Sequence, residues 1–139
     1  MFKTNSNLEF VYNMATVKIS KPEQFQYENK TWNRLLEFSK QENAVLKNRL
    51  AEVVDHRIDK EFLALAEHFQ NKFIIKDEYI DELRHDINAQ EQELIKKDNT
   101  LLDSKIIKKQ ERLRNEMEYF EKDFANLKNE FNKYLSSVL

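Results

Sequence analysis

Glu82-Leu83-Arg84-His85 is the one place where the sequence carries a recognisable ligand spacing. Residues three apart share a helix face, and helical bundles hold paired metal ions with a Glu-x-x-His on each of two helices plus further inward glutamates. Here there is no second Glu-x-x-His, and Leu83 falls on an apolar stripe that turns Glu82 and His85 away from it. A solvated face is predicted there, with no metal ligands and no cofactor. His56 falls in a predicted turn and His68 flanks the apolar stripe beside Phe69. Neither has a Ser, Cys or His at a helical spacing that would build a catalytic group. Ser136-Ser137 reads as a terminal polar pair. The sequence has no Cys, which removes disulfides, thiolate nucleophiles and Cys-bound zinc, and no Gly, which removes phosphate-cradling loops. No catalytic residue is assigned, and the chain reads as not an enzyme.

The run KIIKKQERLR is the candidate for binding phosphates, because Lys105, Lys108, Lys109 and Arg112 share one helix face. Glu111 and Glu116 interrupt that face, no recognition motif accompanies it, and the net charge is -2. No nucleic-acid partner is expected. Membranes are excluded on similar grounds: no apolar run approaches the ~20 residues of a span, and the helical faces mix both signs of charge where an interfacial helix would be basic. The opening MFKTNSNLEFVYNM lacks the apolar core of a secretion signal, so the expected location is cytoplasmic. Met14 opens MATVKISKPE and marks residues 1–13 as a candidate upstream extension.

The elements that position these groups follow from composition and periodicity. A chain of 139 residues has the length of one domain. It has a single Pro, 35% charged and 12% aromatic residues, which argues against disorder and for long helices. Ser20-Lys21-Pro22-Glu23 is a helix start, with Ser20 as cap and Pro tolerated in the first turn. From it one seam runs Phe25, Trp32, Leu36, Ser39, Asn43, Leu46, Leu50, Val53. A second runs Phe62, Ala66, Phe69, Phe73, Ile80, Leu83, Ile87, Leu94. In the third segment Ile106, Leu113, Phe120, Leu127 and Tyr134 alternate with Gln110, Met117, Phe124, Phe131 and Val138.

On one continuous helix these seams would be displaced by roughly 150° at each junction, far more than a stutter allows. Breaks near Val54-Asp55-His56 and Asp98-Asn99-Thr100 resolve the conflict, with Thr100 and Asp103 available to cap the third helix. The predicted fold is therefore all-α, an antiparallel three-helix bundle of long helices with coiled-coil-like packing. Its helices lie at about 21–54, 58–97 and 101–137, after a weakly structured extension over residues 1–19. That topology sets Ser39 and Asn43 level with Phe73 and Phe69, brings Phe124 and Phe131 to the same layers, and sets Gln90 level with Gln110. The segment Asp55–Lys97 carries eleven acidic and seven basic residues, a net of -4. Lys105, Lys108, Lys109 and Arg112 are expected beside its Asp86, Glu91 and Glu93.

One feature exceeds what the bundle needs. Leu35, Phe38 and Val45 lie off the first seam, with Phe38 and Val45 seven apart on one line, and Ile75 is similarly displaced on the second helix. Leu8, Phe10, Val11 and Tyr12 of the extension, a second copy of the chain, or another helical protein would each cover such a stripe. The sequence thus points to a non-enzymatic coiled-coil interaction module, an adaptor or structural subunit. Its predicted interaction surface is Leu35, Phe38, Val45 and Ile75, and its predicted partner is itself, as a homodimer, or another helical protein. The competing reading is a bundle that binds a metal or a small molecule.

Overall fold

A computed structural model describes residues 21–57, 59–96 and 102–139. The extension over residues 1–19, the Ser20 cap and the turn at Asp98-Asn99-Thr100 lie outside the described residues. Three helices follow one another, α1 (Lys21–Val54), α2 (Lys60–Lys96) and α3 (Ser104–Val138), with no strand among the described residues. The chain is an all-α three-helix bundle. Pro22 sits in the first turn of α1, where its missing N–H costs nothing.

Helix starts differ slightly from the sequence-based boundaries, and aspartates set both. The Asp59 side chain accepts a hydrogen bond from the N–H of Phe62 at 2.9 Å, so α2 begins at Lys60. Asp103 is the N-cap of α3, accepting from Ile106 N–H at 2.9 Å, so α3 begins at Ser104. Of the two residues available to cap this helix, Asp103 is its N-cap in the structure. A short carboxylate that satisfies an orphan amide outcompetes the apolar pattern in fixing where a helix starts. The first connection is tied down by Arg57, whose guanidinium bonds Asp59, donates to the Val138 carbonyl at 2.9 Å and lies over the Phe62 ring.

The seams pack inward as their periodicity requires. Every seam residue named above is buried except Val53 and Val138, which are partly exposed at the helix ends. Asn29 and Leu135 are also buried and were not on the predicted seams. Hydrogen bonds fix direction: Asn29 pairs with Glu91, Asn33 with Asn88 and Asn43 with Asp77, so α1 and α2 run antiparallel. Asn43 also donates to the Phe73 carbonyl at 2.8 Å, the layer expected for it. Opposite that small amide, Phe69 and Phe73 meet Phe131 edge-on, with ring centroids 5.4 and 5.0 Å apart, and Tyr134 stacks on Phe62 and leans on Phe69. Phe124 is displaced along the bundle, stacked on Phe120.

A second layer crosses all three helices. Gln90 donates to Gln110 Oε1 at 3.1 Å and to the Ile106 carbonyl at 2.8 Å. Gln110 donates to Asn29 Oδ1 at 3.0 Å and to Glu28 Oε1 at 3.1 Å, while Arg114 grips both oxygens of Glu28. These amides divide the apolar interior: beyond them, among the described residues, Phe25, Leu94 and Ile106 form a separate small core with Leu102 and Ile107 packed against it.

Two outcomes test this packing. Gln110→Leu strands one Gln90 donor and the Asn29 carbonyl, so denaturant unfolding is expected to register a loss of about 1–3 kcal/mol. Phe131→Ala, which empties the centre of the aromatic layer, is expected to cost about 3–5 kcal/mol in the same assay.

Candidate functional site

On α1 the buried seam and the outer face are set by the same periodicity. Phe38 and Val45 lie about 130–150° around the helix from the seam, on the face turned to solvent. They are 67% and 57% exposed, the larger of them an aromatic ring with no stacking partner among the described residues. Leu35 is half-buried and packs against the main core, at the edge of that face. Ile75, 57% exposed, belongs to another side of the molecule. It sits one turn before Tyr79, whose ring meets Phe120 of α3, so Ile75 faces outward on the α3-ward flank of α2. The structure therefore places Leu35, Phe38 and Val45 along one side of α1 and leaves Ile75 apart.

The charges around the ridge are ordered by which helices face each other. Between α1 and α2, Lys40 pairs with Asp81, Lys47 with Asp77, and Arg84 with Glu37. Lys76 joins Asp123 across α2 and α3. Between α1 and α3, Arg114 pairs with Glu28 and Lys128 with Glu42, and Lys128 also lies over the Phe124 ring at 4.9 Å. The expected contact of the KIIKKQERLR run with Asp86, Glu91 and Glu93 does not form as ion pairs among the described residues. Arg112 pairs with Glu116 on its own helix, and Glu91 accepts from Asn29. Glu116 lies one turn from Arg112 on the same helix, a spacing at which opposite charges attract.

Burial alone would raise the Asp77 carboxyl. Hydrogen bonds from Lys47 and Asn43 and the charges of Lys47 and Lys40 outweigh it and hold the carboxyl below its ordinary range. Glu121 goes the other way: desolvation, then the neighbouring Glu118, push its carboxyl up. Arg114 is held further in its charged form, first by its hydrogen bonds to Glu28, against the opposing effect of burial.

The other candidates do not converge. Glu82 and His85 are exposed, as are His56 and His68. Among the described residues no group of three or more His, Asp or Glu is placed to share a metal ion, and no helix is long and apolar enough to cross a membrane. A shallow open groove lies on the α2-ward side of Phe38, lined by Lys30, Asn33, Arg34, Gln41 and Glu91. Exposed Tyr119, beside Tyr79, Arg112 and Glu116 in a second shallow groove, was not singled out from the sequence. Its single aromatic in a charged stretch gives no periodic signal. No protein-family model matches the chain, and no characterised protein and no solved structure matches it either.

Asp77 gives a pH test with a definite sign. Its folded-state affinity for a proton is lowered, so its contribution is complete above the unfolded value of ~3.9 and drains away as pH falls through the folded value. The stability gap between wild type and Asp77→Asn is expected to be constant from neutral pH down to about 5 and to close below about 4 in urea titrations.

Proposed function

We propose that this chain is a non-enzymatic helical interaction module, an adaptor or structural subunit of the cytoplasm that works by presenting the outer face of α1 to another helix. The observation that carries the reading is the exposure of Phe38 and Val45 on the solvent side of a helix whose own seam is already satisfied. A helix in a closed bundle gains nothing from a large aromatic on its back. Scattered surface apolars are normal, but two on one line, with Leu35 at their edge, make a ridge of the kind that helix-in-groove association uses. The partner is a helix of a second copy or of another protein, since a rigid, elongated face offers apolar contacts at regular intervals along one direction. The charged surroundings supply the polar rim of such contacts.

The test separates association from folding. Phe38→Glu with Val45→Lys leaves the buried seam untouched, so the double variant is expected to unfold within about 0.5 kcal/mol of wild type. Association of the wild type, with itself by sedimentation or with a helical partner recovered by cross-linking, is expected to be lost in that variant, because charges would enter a dry contact. An association that survives both substitutions would place the working surface elsewhere.

A further inference from the structure

We infer that the face where α1 runs beside α3, at Leu35, Phe38 and Glu121, is the seat for a basic amphipathic helix of a partner protein. The inference rests on the interaction-module reading and names the chemistry of its partner. α1 and α3 run parallel, and two ion pairs fix their register. Arg114 with Glu28 and Lys128 with Glu42 are each separated by 86 residues in sequence. Leu35 lies seven residues from both Glu28 and Glu42, midway on α1, and the residue 86 beyond it is Glu121.

The ladder thus reads acid–base, leucine–acid, acid–base. Its two outer rungs are neutral. The middle rung carries a carboxylate with no cation from α1, and Glu118, one turn back on α3, adds a second charge of the same sign. Neither glutamate has an ion pair among the described residues. The same site holds the apolar ridge: Leu35 is half-buried at the rung, Phe38 projects from the next turn, and Val45 continues it two turns on. Exposed Ala125, one turn after Glu121, leaves the α3 wall low at this point.

An apolar strip beside Glu121, whose rung brings no cation from α1, calls for an occupant with apolar residues along one face and Lys or Arg on the edge toward α3. Such a helix would cover Phe38 and supply the cation that the middle rung lacks. Arg34, on the opposite side of Phe38, sets the other edge, where the occupant needs a neutral or acidic residue. A second copy of this chain is a weaker fit. Docked antiparallel, its α1 ridge would bring Leu35, Phe38 and Val45 against themselves and leave Glu118 and Glu121 facing like charges.

The experiment uses a synthetic helical peptide of about three heptads, with Leu along one face and Lys on one flank, and a twin with Glu replacing each Lys. Fluorescence anisotropy near physiological salt is expected to show saturable one-to-one binding of the Lys peptide and no binding of the twin. Glu121→Lys and Phe38→Glu are each expected to weaken it by at least about tenfold. Glu78→Lys, which makes the same charge change on the exposed outer side of α2, is expected to leave it within about twofold. Equal weakening by Glu78→Lys would show attraction to net charge alone and overturn the assignment, as would absence of binding. A wild type that forms dimers through Phe38 and Val45 and ignores the peptide would overturn this inference while upholding the interaction-module reading. A monomer that binds neither peptide nor partner through this face would remove both.

Discussion

The amide layer formed by Asn29, Gln90 and Gln110 is the constraint on which the rest of the bundle depends. Apolar seams are tolerant: a leucine-lined groove accepts a neighbour shifted by a heptad with modest loss, because methyl groups have no directional demand. Buried amides have such a demand. Each needs its donors and acceptors met within the interior, and only one axial setting of the three helices does that here. The layer also reaches the surface through Glu28, which takes Gln110 on one side and Arg114 on the other. Register in the core and charge pairing on the flank are therefore set together. Buried polar layers are among the best-attested devices for fixing register in helical assemblies, at some cost in stability.

Once that setting is fixed, the remaining layers follow by size. At the other end of the bundle, Ser39 and Asn43 on α1 face the rings of α2 and α3, so a narrow helix surface accepts the bulk of Phe69, Phe73 and Phe131. A one-heptad slip would set these rings against Leu36 or Leu46 and leave the Asn43 amide without the Phe73 carbonyl. The surface ion pairs add little stability individually. Their value lies in agreement: each pair between α1 and α2 satisfies the same antiparallel register as Asn43 with Phe73, and each between α1 and α3 the same parallel one.

Most of this architecture was legible in the sequence, for a physical reason. Without Gly, and with the single Pro at a helix start, the chain had little except heptad phase to mark its turns, and phase is a strong signal when a helix is long. The Gln90–Gln110 contact could be read because two amides on opposing seams have few alternatives. Asn29 shares the spacing of its seam, four residues after Phe25 and seven before Leu36, and only its polar side chain kept it out of an apolar pattern. The flank charges were the least legible part. Lys105, Lys108 and Lys109 have many acids within reach, and composition does not choose among partners whose energies differ by tenths of a kcal/mol. The candidate surface was half legible: off-seam spacing located Phe38 and Val45, but it grouped Ile75 with them because a one-dimensional pattern does not say which neighbour a helix flank meets.

The outer face of α1 combines exposed Phe38 and Val45 with Glu121 on the neighbouring helix. On the flanks of α2 the acids Asp77 and Asp81 meet α1 lysines and Tyr79 meets Phe120, while α2 and α3 also expose Leu65, Ile75, Ile95 and Tyr119. Along the α1–α3 side, acid and base pair at two rungs, Glu28 with Arg114 and Glu42 with Lys128, and the rung between them holds Leu35 and Glu121. That rung coincides with the largest exposed side chain of the ridge. A packing fault would appear as a cavity or a strained core residue, yet Leu36 and Phe120, in the core close by, are fully buried. The interior is complete at this level, and the irregularity is confined to the surface. A surface irregularity that combines missing charge with surplus apolar area adds nothing to the stability of this chain alone.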